Sequence, residues 1–389
     1  MPAATSQTTQ ASARARRLFS TGAVIAAATI FGLTYSLAAP LIALDLDARG
    51  YSGSFIGVNA AMHAVGVLFI APFLPRLAAR VGARQLTLAG LLLSALVLTA
   101  FPFAPSVYWW FPLRLLLGMG AEALFVMSET WTNELSTESA RGRTMALYTA
   151  ALSLGMVCGP TVLSAIGAGR NAYFVGAGIS ALAMLLVASP AVLSPPRFAP
   201  GGANPLKYMR LAPIAMGVTA LNAAIETAGL SFIALYATGQ GWGEERAMQL
   251  ISTLMLGAIV LQLPIGWIAD RVDRRRLTLV LAVASSAGAL LWPYVLAHEW
   301  LAFAVVFVWG GLFVGIYTVM LAMVGARYRG GELVGIYGAM GFAWGAGALV
   351  GPTGAGFALR LSPLFGLPGF VALACAVFAL FIRLSRSEV

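Results

Sequence analysis

Five ionisable side chains fall inside otherwise apolar stretches of this sequence: Arg114, Glu122, Glu129, Glu226 and His63. A charge carried deep into such a stretch is costly unless it is paired, hydrated or neutralised, so each is a candidate for function. Arg114 and Glu122 stand two helical turns apart, about 12 Å along the axis and about 80° around it. They can share one aqueous space without touching. Glu226 has Asn222 one turn earlier on the same helical face. A carboxyl group that takes up and releases a proton as a solute comes and goes can couple the two movements. Glu226 and Glu122 are expected as such proton carriers, with Arg114 biasing the exchange, since burial and a second acid act on a carboxyl group in one sense and an arginine in the other. A fixed ion pair that only holds helices together is the competing reading. His63 is expected as a satisfied polar residue and a candidate solute contact.

The elements that position these residues follow from composition. The chain has 389 residues, 60% hydrophobic and 10% charged, against roughly 25% charged in an ordinary soluble domain. So few polar residues cannot cover a water-facing surface. Apolar segments of about 20 residues, enough to cross a bilayer, are expected at 20–43, 54–74, 86–105, 108–131, 144–166, 172–192, 211–236, 247–268, 278–297, 300–323, 333–357 and 364–383. These are twelve spans. The fold class expected is all-α integral membrane, with domains at 1–19 (a disordered arm), 20–192 (six helices), 193–210 (a linker rich in proline and glycine) and 211–385 (six helices).

Positive charge tests the count, because it is retained on the cytoplasmic side of short loops. Of 24 Lys and Arg, nineteen fall on one side of the spans; Arg49, Arg170, Arg246 and Arg360 fall on the other, and Arg114 lies within one. An even number of spans with both termini cytoplasmic explains that asymmetry, and a plasma (inner) membrane is the expected location. The net charge of +10 is therefore read as topological, with no nucleic-acid partner. Cys158 and Cys375 suit neither a disulfide framework nor a metal site. The single lysine, Lys207, lies in no phosphate-binding loop. No metal, no cofactor and no enzymatic activity are expected.

The two halves repeat at a shift near 190 residues. Pro75-Arg-Leu-Ala-Ala-Arg-Val-Gly-Ala-Arg84 answers to Gly266-Trp-Ile-Ala-Asp-Arg-Val-Asp-Arg-Arg275, so Arg80 corresponds to Arg271. Tyr148 and Gly159-Pro160 answer to Tyr337 and Gly351-Pro352. The second loop resembles the Gly-x-x-x-Asp-Arg-x-Gly-Arg-Arg signature of the major facilitator superfamily, and Arg114-Leu-Leu-Leu-Gly118 is similar to its Arg-x-x-x-Gly motif. Gly155-x-x-x-Gly159-Pro160 resembles the start of the glycine-proline motif of drug:proton antiporters, although Leu163-Ser164 stands where its closing glycines belong.

That resemblance implies a monomer of two rocking bundles, with spans one, four, seven and ten around a central cavity where Glu122 and Glu226 would meet. Phe31 and Tyr35 on span one, and Trp309, Phe313 and Tyr317 on span ten, would then contact the solute together with Asn222; aromatic walls with two carboxylates suit an apolar or cationic one. Gating is expected from Arg80, Asp270, Arg271, Glu129, Arg141 and Arg143, with Gly159, Pro160, Gly351 and Pro352 as sliding contacts; Ala79 replaces the loop acid in the first half. The function expected is proton-coupled export of a small organic molecule. Proton-coupled uptake of a nutrient such as a sugar, vitamin or organic acid is the alternative, and a membrane sensor or assembly scaffold is the option from another class.

Overall fold

A computed structural model describes residues 2–136, 141–194, 205–328 and 330–385; at 2–14, 75, 133, 141–143, 145, 146, 205, 206, 325, 330–335, 337 and 338 only the backbone is described. Within those ranges the chain is helical. In order come α1 (Pro2–Ala48), α2 (Gly53–Ile70), α3 (Leu74–Val81), α4 (Ala83–Ala100), α5 (Trp110–Leu135), α6 (Arg141–Ile166), α7 (Arg170–Ala188), α8 (Pro205–Leu211), α9 (Pro213–Gly239), α10 (Glu244–Val260), α11 (Gln262–Ala269), α12 (Arg274–Leu290), α13 (Trp292–Val295), α14 (Glu299–Arg327), α15 (Gly330–Leu361) and α16 (Gly366–Leu384). Helix is the form an apolar chain must take in lipid, because each backbone N–H and C=O then finds its partner within the segment.

Ten helices among the described residues are long and apolar enough to cross a membrane. Two more occupy the places of spans nine and eleven. The first, α12, has 17 residues and is followed by the Trp292-Pro293 break into α13; the second, α15, includes undescribed side chains. Twelve crossings are compatible with this set. Residues 2–19, expected as an arm, continue the first span as part of α1, whose apolar window begins at Ala15. Large apolar side chains such as Leu182, Leu185, Leu263 and Val280 are exposed, as a lipid-facing surface requires.

The chain divides into two compact units. The first comprises Met1–Ala38, Phe69–Gly159 and Arg170–Gly201; the second comprises Ala39–Leu68, Pro160–Gly169 and Gly202–Val389. The core of the first joins four helices through Ala23, Val24 and Ala27 of α1, Leu91 of α4, Leu124 and Trp131 of α5, and Ala183 and Val187 of α7. In the second, α9 packs along α15, α10 on α14, and α12 between α14 and α16. The outer residues of α2 belong to this unit: Gly57 abuts the Pro352 carbonyl, Gly53 meets Gly356, and Ala64 packs with Ala223 and Ala348. The Thr161 and Ser252 hydroxyls, 2.9 Å apart, join α6 to α10 there.

A packing device recurs in both sequence halves. Gly155 and Gly159 of α6 lie against the backbone of α1 at Thr29 and Leu33; Gly347 and Gly351 of α15 lie against that of α9 at Ala220 and Ala224. Each of these glycines is one where an added Cβ would meet main-chain atoms. Only a residue without a side chain lets the backbones come so close, and small residues serve this purpose throughout membrane bundles.

Candidate functional site

The first unit holds half of the polar and aromatic candidates. Helix α5 supplies Arg114, Glu122, Phe125 and Glu129; α1 supplies Phe31 and Tyr35. Arg114 is buried and donates from Nη1 to the Ala38 carbonyl at 3.5 Å, while its Nε, equally buried, has no partner. Its electrostatic neighbours are Tyr35 and Tyr173, and Glu122 is neighboured by Glu129. Glu122 is half-buried and Glu129 exposed. Among the described residues neither acid forms an ion pair, and neither does Arg114. The Phe31 ring lies 6.0 Å from Tyr35 and 6.2 Å from Phe125. Phe125 escaped the sequence reading. Its position one turn after Glu122 was the available signal.

In the second unit Glu226, half-buried near the middle of α9, accepts a hydrogen bond from Asn222 Nδ2 at 3.2 Å. The Asn222 Oδ1 atom is buried without a partner. No cation pairs with Glu226 among the described residues. On α2, His63 is buried, and one turn before it Asn59 has both amide atoms buried and unpartnered. Sequence reasoning missed Asn59 because an uncharged amide raises no alarm in hydropathy.

The span-ten aromatics divide. Trp309 donates through Nε1 to the Ser285 carbonyl at 2.8 Å, stands edge-on to Trp292 and stacks on Phe313 at 5.2 Å, with both rings buried. The Trp309 ring fills the contact of α14 with α12 and α13. Tyr317 is half-buried.

At the arginine-rich end, Arg84 donates to the carbonyl of Ala188, the last residue of α7, and to those of Ser189 and Val192 just past it, and Arg16 donates to those of Pro190 and Ala191. Its repeat-mate Arg275 donates to Ile382 and Ser385 at the end of α16. Carbonyls at a helix end lack partners and carry the negative pole, so each arginine closes the last helix of its half. Asp270 pairs with Arg274 of the following turn, and Arg271 lies 3.7 Å over the Trp267 ring while donating to the Trp267 carbonyl. Arg80 is exposed. The Arg141 and Arg143 side chains lie outside the described residues, though the backbone there already opens α6.

The family model described as Major Facilitator Superfamily matches residues 24–253 and 214–389. The chain belongs to the major facilitator superfamily. One relative of this major facilitator, an uncharacterized MFS-type transporter of Bacillus subtilis, YfkF, is 27% identical over 281 residues, covering 69% of this chain and 72% of that protein. Another from the same organism, multidrug resistance protein 2, is 27% identical over 147 residues, 38% of this chain and 35% of its own length. Among solved structures, the nucleoside transporter NupG superposes with a TM-score of 0.80 at 14% identity, over 95% of this chain and 99% of that one. A D-xylose-proton symporter gives 0.76 at 14%, over 95% and 98%. At that identity the likeness concerns the fold, which is the all-α major facilitator architecture. A multi-pass membrane transporter of a small molecule is accordingly established.

Proposed function

We propose that this major facilitator is a proton-coupled exporter of a small organic molecule, with Glu226 as the principal proton carrier. The observation that carries the reading is a carboxyl group near the middle of an apolar 27-residue helix, held by one amide and by no cation among the described residues. Such a group needs a neutralising partner, and a proton that leaves when solute arrives is one that does work. Glu122 is the second acid of the relay, and Arg114 biases it. Asn222, Tyr35, Phe31, Tyr317 and His63 contact the solute, and the packed rings of Trp309 and Phe313 brace the helix behind them. Two six-helix bundles, 20–192 and 211–385, rock about the linker 193–210 in the manner of repeat-built transporters. Arg80, Asp270, Arg271, Glu129, Arg141 and Arg143 control the arginine-rich entrance. Gly159, Pro160, Gly351 and Pro352 lie in the helices that slide.

That entrance faces the cytoplasm with both termini, by the retention of positive charge, and the chain works as a monomer in the plasma membrane. A relative named as a multidrug resistance protein supports export over uptake. Everted membrane vesicles decide both direction and coupling, using a solute selected by a thermal-shift screen of the purified chain, since ligands raise the stability of the state they bind. Export predicts accumulation inside vesicles made acid inside, abolished by Glu226→Gln. Uphill transport unchanged in Glu226→Gln sinks the carrier role, and gradient-driven accumulation by right-side-out cells replaces export with nutrient uptake.

A further inference from the structure

Arg114 is a buried cation with no anion to face. The residue is 4% exposed, Nε is unpartnered, and the hydrogen bond from Nη1 to the Ala38 carbonyl is long at 3.5 Å. Among the described residues no carboxylate lies within ion-pair distance of it. Its electrostatic neighbours Tyr35 and Tyr173 offer phenol groups and no carboxylate.

The place is electropositive for a second reason. Arg114 stands in the second turn of α5, a helix of 26 residues with no acid in its first turn. Long side chains on a helix lean back toward its amino end, so the guanidinium lies over the pole that already favours negative charge. Two positive sources out of water, with an open donor, call for an anion from outside the chain.

The neighbouring rings indicate what that anion is attached to. Tyr35, next to Arg114, continues through Phe31 to Phe125, with centroids 6.0 and 6.2 Å apart and none of the three fully buried.

We propose that Arg114 and the amino end of α5 bind the carboxylate of an aromatic organic anion whose ring lies against Tyr35, with Phe31 and Phe125 continuing the apolar wall beyond it. This names the class of solute for the transport reading above and rests on it. The test compares benzoate with its uncharged analogue benzamide, titrated calorimetrically against the full chain in lipid nanodiscs. Benzoate binds at least about tenfold more tightly, as a charge-assisted bond provides. Arg114→Gln removes the preference, Arg114→Lys keeps part of it, and Tyr35→Ala weakens both ligands alike. Absence of benzoate binding, equal affinity for the two ligands in the unaltered chain, or a preference that survives Arg114→Gln overturns the proposal. The first two comparisons need no variant to fold. A failure here leaves proton coupling to be judged separately by Glu226→Gln in vesicles.

Discussion

Gly351→Ala puts the glycine contact between α15 and α9 to a quantitative test, with Gly341→Ala on the same helix as its control. A Cβ at Gly351 would stand 2.6 Å from both the carbonyl carbon and the Cα of Ala224, and closer still to the oxygen; at Gly341 it meets nothing within 4 Å. Carbon atoms pack best about 3.5–4.0 Å apart. The helices must therefore part by about an ångström, because the obstacle is backbone and cannot rotate away. Overpacking of this kind costs about 1–3 kcal/mol, and a contact against main chain belongs near the upper end. Alanine returns up to about 1 kcal/mol of helix propensity at either position. Net destabilisation of about 2 kcal/mol is expected at Gly351, against a gain of up to about 1 kcal/mol at Gly341, so the variants should differ by about 3 kcal/mol. Reversible unfolding by SDS in mixed micelles, followed by circular dichroism, reads that difference directly. Two variants agreeing within about 0.5 kcal/mol, the scatter of unremarkable substitutions, would refute the close approach as a constraint. Since Glu226 stands two residues beyond Ala224, Gly351→Ala should also depress transport.

Other expectations are simpler. Arg84→Ala should destabilise the chain by about 2–4 kcal/mol, because several carbonyls at and past the end of α7 lose a charged donor, and Arg275→Ala should do the same at α16; the exposed Arg360→Ala should be near neutral in the same unfolding assay. Replacing Trp309 by alanine should cost about 3–5 kcal/mol, the usual price of emptying a buried aromatic site, whereas Tyr317→Ala should alter solute affinity more than melting temperature. Asn59→Leu should leave folding intact or improve it, since it removes a buried amide without partners; a large loss of stability would show that the amide is bonded after all.

Much of the architecture was legible in the residues alone. Hydropathy fixes the spans, because a helix in lipid needs about 20 apolar residues whatever its neighbours do. The repeat at 191 residues paired Arg80 with Arg271, and its spacing also carries Arg84 onto Arg275, whose equivalent helix caps only the folded structure reveals. Arg114, Glu122 and Glu226 declared themselves by the cost of charge in an apolar span, a quantity that depends on type and position only. What tertiary structure decided was partnership. Trp309 and Phe313 share a helical stripe with Tyr317, yet Trp309 is consumed by Trp292 and Ser285 on other helices and Phe313 is buried beneath it. Asp270 holds Arg274 one turn away. A helical period states which side chains lie on one face; which neighbour that face meets depends on long-range packing, so the open donor of Arg114 and the empty amide of Asn59 became visible only once every other helix was in place.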